Sequence, residues 1–513
     1  MTQYDVAVVG SGAGGIAAWV LVNLGLDVIL LEAGRMTGLR TSKRESGTRR
    51  IGGRCLLVVL AAFCASPGLE VSARSESAWK AGVAQAVITP TETIWLAGYG
   101  ARKKPSDGVR QDLYVKTLAL QDETGKAAVL VTLDLVEIRR DEAEIIADRV
   151  RKKLGLSRDR LLINASHTHS GPVVGEPPGY ADINREQEAV IRRYTAWLLD
   201  KVVQSVEASI RDLAPATVSF EQGLAAIAVN RRRARDRSLP GPVDHDVPVL
   251  AVRAPDGKLR AVVVGYACHA TSLGDYQIGG DWPGYAKAEI EKTHPGATAL
   301  FVQGCGADSN PLPRYQGTDP ALLHYAVELA ARNGRVLAAA VDLVLHGRMK
   351  PVYGPLKSAF ELVDIPIHGA PTREELRAQL DDPNPTNRRY ARLLLDQLER
   401  AGRLPDRYPY PVHVWRFGNG LKLIALGGEV VVDYSLRLKA QHGWDDTWVA
   451  GYSNDVFAYI PSLRVLKEGG YEGGDANRDL PGPFGAAVEE VIVEKVGELV
   501  QRTGGPASRE EKP

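Results

Sequence analysis

The sequence predicts an α/β fold, a mixed sheet covered by helices. Two observations carry the fold class on physical grounds alone. Apolar runs of strand length alternate with amphipathic stretches of helical period from about Trp79 to Arg502, which implies strands interleaved with covering helices. Four of the apolar runs end in small-residue turns carrying a histidine, a cysteine or a carboxylate, and α/β sheets hold their ligands at the carboxyl ends of strands.

Taken in order, "AAVLVTLDLVEI" reads as a buried strand and "RDEAEIIADRVRKKLG" as an amphipathic helix ended by Gly155. The strand "RLLINAS" and a long helix from about Glu186 to Asp212 follow. Later strands are "RAVVVGYACHA", "ATALFVQGCG", "LKLIALGG" and "TWVAGYSN". Helices are expected over Gly284–Lys292, Asp319–Leu345, Arg373–Ala401 and Ala486–Val500. The proline-rich stretch Asp381–Asn387 and "RLPDRYPYPVH" read as connections, and the tail "GGPASREEKP" as disordered.

Composition narrows the partners. Lys plus Arg number 63 against 62 for Asp plus Glu. A balance this even, with no long basic tract, argues against nucleic acid. The four cysteines, Cys55, Cys64, Cys268 and Cys305, form no C-x-x-C pair, so neither a zinc ribbon nor a thioredoxin site is available.

Two N-terminal segments stand apart from this domain. "YDVAVVGSGAGGIAAWVLVNLGLDVILLEAGR", Tyr4–Arg35, runs strand, glycine turn, helix, strand, with Gly10, Gly12 and Gly15 in G-x-G-x-x-G spacing and Glu32 ending the second strand. Such a turn aims backbone amides at a pyrophosphate. It resembles the opening of the glucose-methanol-choline family of flavin oxidoreductases, which implies FAD. One βαβ unit cannot enclose a flavin, so residues 1–48 are expected to be an orphan fragment, with a FAD-dependent oxidoreductase as the competing function. Residues 49–73 follow, with arginines, a short apolar run from Cys55 to Ala65 and Val71-Ser72-Ala73. That is the layout of a secretory signal, and the run is shorter than the ~20 residues of a membrane span. The expectation is export to the periplasm or beyond.

The chemistry sits in "NASHTHSGP", "GYACHATSLG", "FVQGCGADSNP" and "IALGGEVVVDY". If these loops converge, His167, His169, His269 and Glu429 supply imidazole and carboxylate, a donor set that suits a catalytic zinc with an open position. Each residue alone is as readily a structural histidine or a glutamate at a helix N-terminus.

These loops resemble, in order over about residues 82–475, the neutral/alkaline non-lysosomal ceramidases, zinc-dependent amidases of ceramide. The resemblance runs from "AVITPTETIWLAGYG" through "TLDL", "SHTHSGP", "VNRRR", "YACHATSLGDYQIGGDWPGYA" and "LGGE" to "GYSNDVFAYIPS" and "YEGG". It implies a Zn2+ cofactor held by His167, His269, Glu429 and Tyr459, with His169, Arg231 and Tyr471 lining the site. The zinc domain would span residues 79–503, with 504–513 as tail, in a short form lacking the C-terminal immunoglobulin-like domain of longer members. The implied partner is an N-acyl lipid, with presentation at a membrane surface one option. A catalytically silent lipid-binding member is the further alternative. Asp134 and Asp281 are candidates for support behind the ligands, and Cys268 with Cys305 for a disulfide after export.

One turn departs from the family pattern. The proposed serine nucleophile of well-known members aligns with Asn310, and Ser309 stands one residue earlier in "GADSNP". Attack by zinc-activated water needs no side-chain nucleophile. On that expectation Asn310 donates its amide to the substrate carbonyl, and the Ser309 hydroxyl bonds nearby backbone. The competing reading makes Ser309 an acyl-accepting nucleophile.

Overall fold

The structure, a computed structural model, describes residues 6–9, 28–32, 35–39, 79–175, 183–314, 320–418, 420–477 and 480–504. The chain forms two compact units, Met1–Glu70 and Val71–Pro513. In the smaller, Val6–Val9 pairs in parallel with Val28–Glu32, as a βαβ reading expects, and Arg35–Leu39 returns antiparallel. The glycine turn, the signal-like segment and residues 505–513 of the tail lie outside the described residues.

Within the larger unit, strands and helices are numbered from Trp79. A nine-stranded sheet contains β1 (Trp79–Val87), β2 (Tyr114–Gln121), β3 (Ala127–Leu133), β4 (Leu161–Ala165), β5 (Ala214–Leu224), β6 (Asp246–Arg253), β7 (Leu259–Tyr266) and β8 (Thr298–Gln303). Its spatial order is β8-β7-β6-β5-β1-β2-β3-β4, and the short strand Lys350–Val352 pairs with β5. A four-stranded sheet follows in sequence order: β9 (Lys357–Pro366), β10 (Arg407–Arg416), β11 (Lys422–Leu426) and β12 (Thr447–Ala450). The pairs β3–β4, β7–β8 and β11–β12 are parallel and the remaining pairs antiparallel, so the sheets are mixed as expected. Every residue of β4, β11 and β12 is buried, which explains why these runs read as continuously apolar.

The helices follow their sequence signals. In α1 (Arg140–Leu154), Ala143, Ile146, Ala147 and Val150 form the buried stripe, and Gly155 ends the helix at φ 70° with its N–H on the Arg151 carbonyl. Helix α2 (Arg185–Arg211) is capped by the Asn184 side chain on the Gln187 N–H at 2.9 Å, a bond worth about 1 kcal/mol. It buries Ile191, Leu198, Val202 and Val206, each contributing about 1.5–3 kcal/mol. Helices α3 (Asp281–Thr293) and α4 (Pro320–His346) pack together on the nine-stranded sheet. Among the described residues, no helix is long and apolar enough to cross a membrane.

Three expectations need correction. The strand "AAVLVTLDLVEI" stops at Leu133, because the Asp134 carboxylate turns back to accept the Tyr114 N–H at 3.0 Å. The helix expected over Arg373–Ala401 is two, α5 (Arg373–Gln379) and α6 (Pro385–Ala401). Pro383 and Pro385 cannot continue a helix from within, but Pro385 suits a first helical position. Finally, "RYPYPVH" is not a connection but the first part of β10. Pro409 and Pro411 face β9 on one side, while β11 begins its pairing only at Val412. The missing N–H groups therefore fall where β10 is an edge strand and cost no ladder bond.

Candidate metal centre

Strand ends build the centre. Buried Asn164 donates to the Gly451 carbonyl at 2.8 Å and to Ser453 Oγ at 3.1 Å, and accepts the Gln303 N–H at 2.8 Å. One amide thereby ties the carboxyl ends of β4, β8 and β12. Isolated bridges Thr168–Ala270 and Gly304–Ala450 bring the β7 and β8 loops to the same place.

His167 and His169 lie beyond the strand rather than on it. His167 has φ 59°, and its ring packs edge-on against His169 with centroids 4.7 Å apart. The turn, not strand alternation, sets their approach. Gly98, at φ 90°, backs this arrangement: a Cβ there would stand 2.5 Å from the His169 ring.

The orientation of the imidazoles is decisive. His167 Nδ1 lies 2.8 Å from the Val136 carbonyl and His269 Nδ1 lies 2.8 Å from the Gly306 carbonyl. Each Nδ1 must carry its proton to make that bond, so each Nε2 presents a lone pair. Both lone pairs face Glu429 Oε2, at 3.1 and 3.2 Å, and His169 Nε2 lies 3.1 Å from His167 Nε2. Burial, with Arg231 nearby, pushes the His269 imidazole down to about 4. Burial and the neighbouring His167 hold His169 well below its ordinary value. Burial alone would raise Glu429, but the facing imidazoles outweigh it and keep the carboxyl well below its usual range. The Nε2 atoms of His167 and His269 and the Glu429 carboxylate are thus crowded onto one point, an arrangement that a cation at their focus would satisfy. The donor atoms of His167, His169 and His269 all lie within 4.8 Å of one another.

Glu429 and Tyr459 are register partners in a two-stranded parallel ladder, Glu429–Val430 with Tyr459–Ile460. Gly428 enters it at φ 73°, where a Cβ would meet Ile460 and the Ala458 carbonyl. The buried Tyr459 hydroxyl is 3.4 Å from His269 Nε2. Arg231 Nη1 reaches the same nitrogen at 3.5 Å, and the half-exposed Tyr471 ring packs on Tyr459 at 5.2 Å. A cavity of about 190 Å³ opens over the centre, lined among others by His167, His169, Glu429, Tyr459, Tyr471 and Phe457.

Comparison with known proteins agrees with this architecture. Residues 79–311 match the family model "Neutral/alkaline non-lysosomal ceramidase, N-terminal". The neutral ceramidase of Mycobacterium tuberculosis is 26% identical over 494 residues, covering 82% of this chain and 76% of the relative. The matched domain, residues 79–311, is that of the neutral/alkaline ceramidase family. Neutral ceramidase A of Dictyostelium discoideum is 22% identical over 47% of this chain and 35% of its own length. The crystal structure of neutral ceramidase from Pseudomonas aeruginosa superposes with a TM-score of 0.65 at 20% identity, over 85% of this chain and 77% of that one. A ceramidase complexed with C2 gives 0.66 at 18% identity, over 84% and 76%.

Within this ceramidase fold, seven of the nine predicted site residues converge: His167, His169, His269, Glu429, Tyr459, Arg231 and Tyr471. Ser309 and Asn310 join through backbone. They pair with Asn230 and Val229 in a short ladder, and the Ser309 carbonyl accepts the His269 N–H at 3.0 Å. The Ser309 hydroxyl does not bond backbone as expected. Ser309 Oγ and Asn310 Oδ1 are buried without a hydrogen-bond partner among the described residues, because the extended ladder turns them from the backbone groups a tight turn would offer. Cys268 and Cys305 are buried free thiols, not a disulfide; they sit in separate apolar clusters.

Asp281 supports the centre indirectly. It accepts the Trp282 and Leu273 N–H groups at 2.6 and 2.9 Å, and Trp282 Nε1 donates to the His269 carbonyl at 2.8 Å. Asp134 pairs with buried Lys287. Tyr452 and Asp308 are among the contributors that escaped sequence reasoning. Tyr452, at φ 50°, stacks against His167 at 4.5 Å, with its hydroxyl 3.5 Å from Glu429 Oε2. Buried Asp308 accepts the Val432 N–H at 2.9 Å and Asn230 Nδ2 at 2.9 Å, joining the Glu429 and Arg231 segments. Asp308 lies within "GADSNP", where the serine drew attention first.

Proposed function

We propose that this family member is a zinc-dependent amidohydrolase cleaving the N-acyl amide of ceramide or a related N-acyl lipid. The observation that carries the reading is the focus of two Nδ1-anchored imidazoles on one carboxylate oxygen. The 3.1, 3.2 and 3.4 Å separations around Glu429, His269 and Tyr459 fit a tetrahedron built on zinc bonds of ~2.0–2.1 Å, whose edges are ~3.3–3.4 Å. His167, His269, Glu429 and Tyr459 would hold the ion, with His169 beside it. When bound, zinc supplies carbonyl polarisation and a water of pKa ~7.

The remaining chemistry belongs to the chain. Arg231 Nη2 is buried without a hydrogen-bond partner among the described residues, a fixed donor for the oxygen that gains charge as the amide carbon becomes tetrahedral. Tyr471, half exposed at the cavity, stands where a hydroxyl can donate to the same oxygen or to the leaving amine. Val173, Val456 and Phe457 give the cavity an apolar wall suited to an acyl chain. Export through the segment at residues 49–73 would deliver the enzyme to lipid outside the cytoplasm.

Metal analysis of purified protein with a panel of N-acyl lipids tests the reading. About one zinc per chain with amide turnover is expected. Bound FAD and yellow colour would replace the reading with an oxidoreductase, and zinc without turnover on any amide would make the protein a silent binder. Deleting residues 1–48 is expected to leave hydrolysis unchanged.

A further inference from the structure

Arg231 carries a long side chain with five N–H donors, and it is useful as a fixed donor only if something outside the reaction holds it. The structure supplies that hold from a residue with no contact to the histidine cluster. Glu472, in the single turn Tyr471–Gly473, is buried. Its Oε1 accepts Arg231 Nε at 2.5 Å and its Oε2 accepts Arg232 Nη1 at 2.8 Å. The two carboxylate oxygens are thus divided between two adjacent, buried guanidinium groups that would otherwise repel one another.

The hold is braced from behind. Arg232 also pairs with Glu468 at 3.0 Å, Glu468 with Arg464 at 2.8 Å, and Arg464 with Asp433 at 2.7 Å. Three arginines and three carboxylates alternate, so the chain of pairs is electrically neutral. The Arg231 guanidinium lies over the Tyr459 and Tyr471 rings, with Cζ 5.5 Å from each centroid. With Nε committed to Glu472 and Nη1 beside His269, Nη2 is the edge left without a hydrogen-bond partner among the described residues.

We propose that Glu472 is a positioning residue that fixes Arg231 so that Nη2 points at the substrate's acyl oxygen. This rests on the amidohydrolase reading for its substrate. A guanidinium freed from Glu472 keeps its charge but loses its aim, and a misplacement of ~1 Å in such a group costs about 100-fold in rate.

The test uses the full-length zinc-loaded protein with an N-acyl lipid that the wild type hydrolyses. Glu472→Gln should lower kcat by about 100-fold, with KM and zinc content within roughly twofold of wild type. Glu468→Gln, which does not touch Arg231, should change kcat far less. Chemical rescue separates aiming from mere folding. Arg231→Ala should regain activity in methylguanidinium, because Glu472 still offers a dock, and the double variant Arg231→Ala/Glu472→Gln should not. A third readout needs no turnover: calorimetric binding of decanoate, whose carboxylate resembles the product, should weaken at least fivefold in Glu472→Gln. Wild-type protein that hydrolyses no amide, yet shows this loss of decanoate binding, would sink the amidohydrolase reading and keep the positioning role. Unchanged kcat and decanoate affinity in Glu472→Gln, or rescue equal in both backgrounds, would overturn the role itself.

Discussion

Two sets of buried histidines in this protein differ in one respect. His413, on β10, is fully buried, and burial with the nearby Arg158 pushes its imidazole down to about 3. His269 is equally buried and pushed down to about 4. By burial and acidity the two are alike. Their lone pairs are not. His413 Nε2 meets the Asp159 carbonyl at 2.7 Å and Nδ1 faces Asn454 Nδ2 at 3.3 Å, so both nitrogens are satisfied within the protein. At the centre only Nδ1 of His167 and of His269 is anchored to backbone, and each Nε2 faces another electron-rich atom. A depressed imidazole marks burial; an Nε2 aimed at a carboxylate and a second imidazole marks a place for a cation.

Removing the converging set should break function without breaking the fold. His167→Ala and Glu429→Ala are each expected to abolish zinc binding and lower turnover by at least ~1,000-fold, since a lost ligand weakens a catalytic metal more than a large core. Circular dichroism should be unchanged. Stoichiometric zinc with normal turnover in either variant would show that the ligands have been misassigned.

The Ser309 and Asn310 side chains give a smaller effect. Asn310→Ala is expected to cost about 100-fold, the loss typical of one donor to an oxyanion. Ser309→Ala should stay within roughly tenfold, or ~1.4 kcal/mol of transition-state stabilisation. A trapped acyl adduct on Ser309, or activity at background in its alanine variant with zinc still bound, would reverse that order and make the serine the nucleophile.

The satisfied histidine should affect stability alone. The folded-state pKa of His413, about 3, lies below the ordinary ~6.5 of the unfolded chain. As pH falls below ~6.5 the unfolded state takes up a proton that the folded state refuses. The stability from neutral His413 is therefore complete above ~6.5 and drains away as pH falls towards 3, at ~1.4 kcal/mol per unit. Between pH 7 and 5 the loss is about 2 kcal/mol. His413→Gln should flatten this part of the stability curve, measured by denaturant unfolding, while zinc content and turnover at pH 7 stay as in wild type. Parallel curves for the two proteins would locate the acid sensitivity elsewhere.

Much of the site was legible because its signals are local. "SHTHSGP", "ACHATS" and "LGGE" each place a ligand-capable residue directly after an apolar run, and strand ends are where an α/β sheet opens to ligands. Tyr459 and Arg231 were legible only through family resemblance, since no spacing rule marks a tyrosine or an arginine two hundred residues from its neighbour. Tyr452 and Glu472 were missed for the same reason. Their roles depend on His167 and Arg231, which are distant in sequence, and each looks locally like an ordinary loop residue.

The sequence by itself determined the alternation of strand and helix, the stop at Gly155, and the turns in which the histidines fall. These follow from side-chain period and backbone preference over a few residues. Only the tertiary structure decided that β10 begins at Arg407 despite its prolines, because whether a missing N–H matters depends on which neighbour lies beside it. Only the tertiary structure set Glu429 against Tyr459, tied three strand ends through Asn164, and left His167 and His269 with their lone pairs converging. Those relations are fixed by strand register and by carbonyls far away in the chain, and no local period encodes either.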